Sequence, residues 1–225
     1  MRNAKKDAAE MAEKRERMLE KGFCIFADRA IEAVTMQEIA DACEIGIATL
    51  YRYFNTKLSL VIAIGTRQWE DYYKEIERIY AERDVEHMTA AEEFEFYLNA
   101  YVRLYKEHKD ILRFNWNFVA YIRHEAATAE QMKPYNDALN VFARKFHKLY
   151  VKAEKDGTLR TDVSENKLFV SSMHTMLPVA GKYAVVLVYP PNDNGDSDRT
   201  EELVTLKDMI LKTYTAKGPG NHEKE

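Results

Sequence analysis

Apolar residues recur along this chain at three- and four-residue steps, the spacing of one face of an α-helix. Between residues 8 and 29 they fall at Met11, Met18, Leu19, Phe23 and Phe26, with charged residues on the opposite face. The pattern continues to residue 216, and it predicts about nine helices and no convincing strand. The predicted helices cover approximately residues 8–29, 35–42, 47–54, 56–79, 89–105, 110–122, 134–156, 164–188 and 198–216.

Residues that start or stop helices accompany this pattern. Thr35 and Glu38 have the spacing of a capping box, in which each side chain bonds the other residue's backbone N–H. Thr89 and Asp110 are predicted N-caps, Pro134 is predicted in a first turn, and Gly157 is predicted to end a helix. VVLVY (185–189) continues the helical period that precedes it. PPNDNGDSD (190–198) reads as a loop and GPGNHEKE (218–225) as a frayed tail.

Composition agrees with an all-α protein. The 225 residues include only 8 Gly and 5 Pro, whereas 46% are apolar and 31% are charged. Cys24 and Cys43 are too few for a disulfide framework and fit reduced thiols. The N-terminus lacks the apolar segment of a secretion signal, and the most apolar stretch, 176–189, is too short for a bilayer. We therefore expect a cytoplasmic protein without a membrane partner.

Two short predicted helices follow one another closely near the N-terminus. A helix-turn-helix needs a small residue where its helices cross and apolar residues after the turn and in the second helix. Ala40, Ile45 and Leu50 stand at these offsets. In such a motif the second helix lies in the DNA major groove with its N-terminal residues at the base edges.

The segment IADACEIGIATLYRYFNTK (39–57) resembles the TetR family of transcriptional regulators, as does the preceding stretch MLEKGFCIFADRAIEAVTMQEIA. The resemblance covers roughly residues 11–65. It implies an all-α fold with a three-helix DNA-binding domain at 1–57 and a helical-bundle domain at 58–225 that binds an effector and dimerises. It also implies a repressor that binds a palindromic operator in double-stranded DNA as a homodimer and is released by a small molecule.

The resemblance also implies which side chains contact DNA. Thr35 and Gln37 would contact a phosphate or a base edge, whereas Tyr51, Tyr53 and Lys57 would contact phosphates. Phe54 is expected in the core. The residues predicted to face the bases are Ile47, Ala48 and Thr49.

Side-chain chemistry predicts how bases are read. The start of the second helix offers methyl groups and one hydroxyl, and it lacks a side chain that makes bidentate base contacts. Apolar groups in the major groove select the thymine methyl, so we expect thymines beneath Ile47 and Ala48. Gln37 is the candidate for a directional contact to adenine. Glu44 stands where the family usually has glycine, and a positive φ there would cost about 1 kcal/mol.

The central segment 111–122 is apolar nearly all round and predicts a buried helix. Aromatic side chains from it and from neighbouring helices would line a cavity for an apolar or aromatic effector, with a few polar contacts. The alternative is that these residues fill an ordinary core. The predicted effector contacts are Trp69, Tyr97, Tyr101, Phe114, Trp116, Asn117, Tyr121, Phe142, His147, Met173 and His174; Asn115 is a further polar candidate.

The resemblance implies that the last two long helices form the dimer. The alternative is that their apolar faces pack inside one protomer. The predicted interface residues are Phe169, Met173, Met176, Leu177, Leu203, Leu206 and Ile210.

Catalytic and metal-binding motifs are missing, and six histidines are scattered along the chain. We therefore expect neither an enzyme nor a metal or cofactor site. The net charge is −4, and the first 60 residues hold ten Lys/Arg and ten Asp/Glu. A DNA-binding domain usually carries a basic excess. The balance leaves open a second function, a helical ligand-binding or interaction protein that has lost specific DNA binding.

Overall fold

In a computed structural model, residues 4–185 and 198–216 are described, and they are almost entirely helical. The helices are α1 (Ala4–Asp28), α2 (Met36–Ala42), α3 (Ile47–Tyr53), α4 (Lys57–Ala81), α5 (Ala90–Glu107), α6 (Lys109–His124), α7 (Ala129–Asp156), α8 (Glu165–Val185) and α9 (Thr200–Tyr214). A short 3₁₀ helix spans Ile31–Ala33. β-Pairing within these ranges is limited to an isolated bridge between Leu159 and Thr215. The all-α prediction is confirmed.

Three sequence predictions lie outside the described residues. They are the helical continuation over 186–189, the loop over 190–197 and the tail over 218–225. Within the described ranges, the helices fall short of the length and apolarity that crossing a membrane requires.

Most of the predicted helix ends are found. The Thr89 side chain accepts from the Glu92 backbone N–H and forms a capping box with it. Gly157 follows α7 with a φ of +66°, a conformation that glycine adopts without strain.

Two predicted helix starts were wrong. α7 begins at Ala129 rather than near Pro134, because Thr128 and Gln131 bond each other's backbone N–H and start the helix earlier. Pro134 therefore lies inside the helix. Asp110 lies in the first turn of α6 rather than before it, and it accepts from the Ile111 N–H at 2.9 Å.

The chain divides into two compact units. Unit 1 comprises Met1–Asp71 and Asp110–Leu139, and unit 2 comprises Tyr72–Lys109 and Asn140–Glu225. The division falls within α4, α6 and α7, so each of these helices contributes residues to both units. The predicted functional boundary after residue 57 differs from this division by contacts and remains a prediction.

An aromatic layer of side chains from α4, α6 and α7 packs together in unit 1. Phe118 stacks on Tyr135 with ring centroids 4.5 Å apart and lies 5.8 Å from Phe114. The Tyr135 hydroxyl accepts from Trp69 Nε1 at 3.0 Å and donates to Asn115 Oδ1 at 3.0 Å. Burial raises the pKa of Tyr135 to about 12, so the hydroxyl stays protonated and continues to donate.

Unit 2 has its own core. Phe94 is fully buried and meets Phe146 edge-on at 5.9 Å. The first backbone N–H groups of α5 are satisfied from the end of α7, because Asp156 accepts from the Ala90 N–H at 2.7 Å. The other fully buried apolar side chains of this core include Leu98, Leu104, Leu149, Leu168, Met176 and Leu203.

Candidate DNA-binding surface

The start of α2 is held by the predicted capping box. Thr35 Oγ1 accepts from the Glu38 N–H at 3.1 Å, and Glu38 Oε2 accepts from the Thr35 N–H at 2.7 Å. Arg29 adds an ion pair to Glu38 at 2.7 Å. The Thr35 hydrogen bonds and Arg29 lower the pKa of Glu38 to about 2. Thr35 is exposed, but its hydroxyl is committed to starting this helix.

The turn between α2 and α3 passes through Glu44, whose φ is +56°. Glu44 thus adopts the positive φ that costs about 1 kcal/mol for a residue with a Cβ. The Glu44 carboxylate pairs with Arg17 of α1 at 2.8 Å, although 81% of the Glu44 side chain is exposed. Beneath the turn, Ala40 is fully buried and its carbonyl accepts from the Ile45 N–H. The helix crossing therefore has the small residue that the motif requires.

The recognition helix, α3, is anchored from below and open at its start. Leu50 is fully buried and Phe54 is 4% exposed, which confirms the core role expected of Phe54. At the other end Ala48 is exposed, whereas Ile47 and Thr49 are half-buried. Gly46 precedes the helix without a side-chain cap. All three predicted base-reading side chains thus retain accessible surface at one end of the helix.

Two tyrosines extend this surface. Tyr51 is 44% exposed, an unusual fraction for a large aromatic residue. Tyr53 is half-buried, and Arg52 lies over its ring at 5.9 Å. Their accessible surface is compatible with the predicted phosphate contacts.

Lys57 and Gln37 make contacts that the sequence did not predict. The Lys57 ammonium donates to the Glu32 carbonyl at 3.4 Å and lies 5.4 Å from the Tyr121 ring centroid. Burial lowers the pKa of Lys57, although nearby acidic groups oppose the shift. Gln37 is exposed, and its amide donates to Asp41 at 2.7 Å. Both side chains therefore already have a hydrogen-bond partner within the protein.

α6 holds the C-terminal end of α1, which sequence reasoning missed. The Asn117 amide donates to the carbonyls of Phe26 at 3.1 Å and Arg29 at 3.3 Å. Nearby, Arg113 approaches the Asp28 carboxylate at 3.6 Å. These are the carbonyls that a helix end leaves without intrahelical donors. Asn117 thereby has a structural role, and its effector contact remains a prediction.

The other predicted effector residues of unit 1 are Trp69, Phe114, Trp116 and Tyr121. Trp69 and Phe114 belong to the aromatic layer, and Tyr121 lies beneath Lys57, so all three are core residues of this unit. Trp116 is 49% exposed and does not line a buried cavity there. The predicted set is divided between the two units rather than gathered in one of them.

Unit 2 holds the remaining predicted effector residues. His147 and His174 are exposed, and His147 pairs with Glu165 at 2.9 Å. Their exposure does not support the predicted cavity contacts, which remain predictions. Tyr97, Tyr101, Phe142 and Met173 are half-buried. Each of these four side chains keeps some accessible surface that an effector could contact, and their effector role remains a prediction.

An aromatic and polar cluster surrounds Tyr97. Its ring stacks on Tyr80 with centroids 5.9 Å apart, and Tyr73 meets Phe142 edge-on at 5.3 Å. The Tyr97 hydroxyl and Glu77 Oε1 are buried without a hydrogen-bond partner among the described residues. Burial and nearby carboxylates raise the pKa of Tyr97. Two buried polar atoms that lack partners are costly, and a bound polar group would satisfy them.

The predicted dimer residues also divide by burial. Met176 and Leu203 are fully buried and Ile210 is 9% exposed within the protomer, which favours the alternative of packing inside one protomer. Their interface role remains a prediction. These three side chains fill the core between α8, α9 and α5. The four half-buried residues of the predicted set are Phe169, Met173, Leu177 and Leu206. Met209 of α9, which the sequence analysis did not single out, is 62% exposed.

α2, the turn at Glu44 and α3 form a helix-turn-helix whose second helix has an exposed N-terminal end. Residues 19–64 match the sequence model for bacterial regulatory proteins of the tetR family. Over these residues the chain is similar to the N-terminal domain of tetR-family regulators, as the sequence resemblance implied.

A curated relative matches part of the chain. The HTH-type transcriptional repressor KstR of Mycolicibacterium smegmatis is 36% identical over 58 residues, which are 26% of this chain and 28% of KstR. The chain thus matches little more than a quarter of that repressor's length.

Solved structures share the fold over nearly the whole chain. FadR of Bacillus subtilis in complex with stearoyl-CoA superimposes with a TM-score of 0.63 at 14% identity, covering 88% of this chain and 95% of FadR. AibR in complex with isovaleryl coenzyme A and operator DNA gives 0.60 at 19% identity, covering 89% and 97%.

Proposed function

We propose that this protein is a DNA-binding transcriptional repressor that binds a palindromic operator as a homodimer and is released by a small effector. The observation that carries the proposal is the open start of the recognition helix. Ile47, Ala48 and Thr49 keep accessible surface, while Leu50 and Phe54 anchor the same helix in the core. A helix that packs on the core through its C-terminal half and has an accessible N-terminal end can enter the major groove.

The DNA contacts follow from this surface. Methyl groups of Ile47 and Ala48 would contact thymine methyls, and Tyr51 and Tyr53 would donate to phosphates. Lys57 would reach a phosphate after leaving the Glu32 carbonyl, and Gln37 would reach a base after leaving Asp41. Thr35 would approach the phosphate backbone while it keeps the capping box.

A dimer would place two recognition helices on successive turns of the same face of DNA, about 34–36 Å apart. Its interface would use the accessible part of the predicted set on α8 and α9 together with Met209. Sedimentation of the full chain at micromolar concentration tests this part. A dimer is expected, and a monomer would reject it.

The effector would bind in unit 2 near Tyr97, where the rings of Tyr73, Tyr80 and Phe142 offer apolar surface. It would carry a hydrogen-bonding group for the Tyr97 hydroxyl and Glu77 Oε1. FadR and AibR, which share the fold, are complexes with acyl-coenzyme A molecules. Effector binding would favour a conformation with lower DNA affinity, and this difference in affinity would release the operator.

A gel shift with the DNA upstream of the protein's own coding sequence tests the proposal. We expect a specific complex that survives competitor DNA and weakens as salt rises. A thermal-shift screen with small apolar and aromatic compounds tests the effector separately. Stabilisation in that screen without any DNA binding would favour the second function, a ligand-binding protein that has lost its operator. The balance of ten basic and ten acidic residues in the first 60 residues supports that alternative.

A further inference from the structure

Three side chains with metal-ligating atoms meet in unit 2. They are Glu75 of α4, Glu107 at the end of α5 and His108, the residue that follows it. One ligand atom from each lies within 4.8 Å of the other two, and His108 Nε2 is 3.0 Å from Glu75 Oε2. Tetrahedral bonds of about 2.1 Å place neighbouring ligands about 3.4 Å apart, so small side-chain rotations bring all three within range of one ion.

The strongest indication of a bound ligand is the Nε2 atom of His108. His108 Nε2 is buried, and it makes no hydrogen bond with the described residues despite its short distance to Glu75. Tyr72 packs edge-on against the imidazole at 5.5 Å and fixes the ring. When the imidazole is neutral and carries its proton on Nδ1, Nε2 has a lone pair that can bind a metal ion.

The charge of the cluster favours a cation. Arg103 is the guanidinium beside it, 2.8 Å from Glu107 Oε2 and 3.9 Å from Glu75 Oε1. Two carboxylates against one guanidinium leave a formal charge of −1 when the histidine is neutral. A second positive group would offset this remaining charge.

We propose that Glu75, Glu107 and His108 bind a divalent transition-metal ion of the zinc type, with water completing the coordination. One imidazole and two carboxylates form a ligand set that suits such an ion. Within the part of the chain that the structure describes, this is the one cluster with three ligating side chains. Because the cluster joins α4 to the end of α5, a bound ion would stabilise unit 2.

Titration of the untagged full-length protein with Zn²⁺ in a calorimeter tests the proposal. We expect one equivalent per chain, with affinity falling as pH is lowered because protons compete for the ligands. His108→Ala and Glu75→Gln should each weaken binding by more than about tenfold, since even changes outside the ligand set reach that size. His87→Ala is the matched control, because His87 is an exposed histidine that also pairs with a carboxylate, Asp84. That variant should bind Zn²⁺ as the wild type does.

Arg103→Gln distinguishes a metal site from a simple ion-pair network. Removing the competing guanidinium should tighten Zn²⁺ binding severalfold. Circular dichroism of each variant confirms that the fold is intact, and Glu75→Gln, which keeps the side-chain shape, decides the matter if His108→Ala unfolds. The absence of stoichiometric binding would overturn the proposal, as would binding that His108→Ala and Glu75→Gln leave unchanged.

Discussion

The side-chain amide of Asn117 donates to the main-chain carbonyl of Phe26 over 3.1 Å, and this bond joins residues 91 positions apart in the chain. It ties α6 to the end of α1, the helix that packs against the helix-turn-helix. Because the Arg29 carbonyl accepts from the same amide, one side chain satisfies two backbone groups at the end of α1.

Replacing Asn117 by alanine should destabilise the protein by about 1–2 kcal/mol, because it leaves two carbonyls without their donor. Urea unfolding measures the change. Asn99→Ala is the matched control, since Asn99 is an exposed residue within α5 and the substitution carries the same gain in helix propensity. Equal stability of the two variants would show that the Asn117 bonds contribute nothing.

Glu44→Gly should stabilise the protein by about 0.5–1 kcal/mol, because glycine adopts a φ of +56° without the clash that a Cβ suffers. The lost ion pair with Arg17 is exposed and contributes little. Glu44→Ala removes the same pair and keeps the Cβ, so it isolates the backbone effect. Thermal unfolding that ranks the glycine variant no higher than the alanine variant would contradict strain at this turn.

The capping box at Thr35 predicts a dependence of stability on pH. The folded-state pKa of Glu38 is about 2, below its ordinary value of 4.5, so the ionised carboxylate favours the folded state. This contribution is fully present above pH 4.5 and is lost as pH falls towards 2. Urea unfolding at several pH values should therefore find wild type and Glu38→Gln converging as the pH falls through this window. A difference between them that stays constant with pH would exclude the carboxylate as its source.

Local features of the fold were predictable because their causes lie close together in sequence. The Thr35 and Thr89 caps, the glycine after α7 and the left-handed residue at Glu44 each depend on a few neighbouring positions. The start of α7 was predicted from Pro134. Thr128 and Gln131, which form a capping pair by the same rule, start the helix earlier.

Roles that depend on long-range packing were not predictable. An apolar stripe on α8 and α9 has the same sequence pattern whether it packs inside a protomer or against a partner. The sequence alone therefore does not reveal that Met176 and Leu203 are buried within the protomer. The contact of Asn117 with the end of α1 joins residues 91 positions apart, so the sequence around Asn117 does not reveal it. His147 and His174 lie on helices whose exposed faces the sequence did not resolve.

Base recognition through methyl groups predicts the effect of Ile47→Gln. A glutamine at this position introduces a side chain that pairs bidentately with adenine, worth about 1–3 kcal/mol of discrimination. Selection from random duplexes should therefore replace thymine by adenine at the position beneath residue 47. A wild-type site dominated by G·C pairs at that position would contradict the proposed readout.

Lys57→Ala should weaken binding to all sites about equally and reduce the slope of log K against log salt by about one. The reason is the loss of one phosphate contact, for which Lys57 must first leave the Glu32 carbonyl. Fluorescence anisotropy at several salt concentrations gives the slope. Lys155→Ala, at the end of α7 in unit 2, is the control and should leave the slope unchanged. An unaltered slope for Lys57→Ala would place this ammonium away from the phosphates.

The central claim, specific DNA binding through α3, is tested most directly by anisotropy with the duplex that the wild-type protein selects from a random pool. The account predicts that this palindrome binds a protein dimer at least about 10³-fold more tightly than an unrelated duplex at the same salt. It further predicts that both affinities fall as salt rises, because the protein displaces counterions from phosphates. Equal affinity for the two duplexes, or failure of the pool to converge on any sequence, would contradict it.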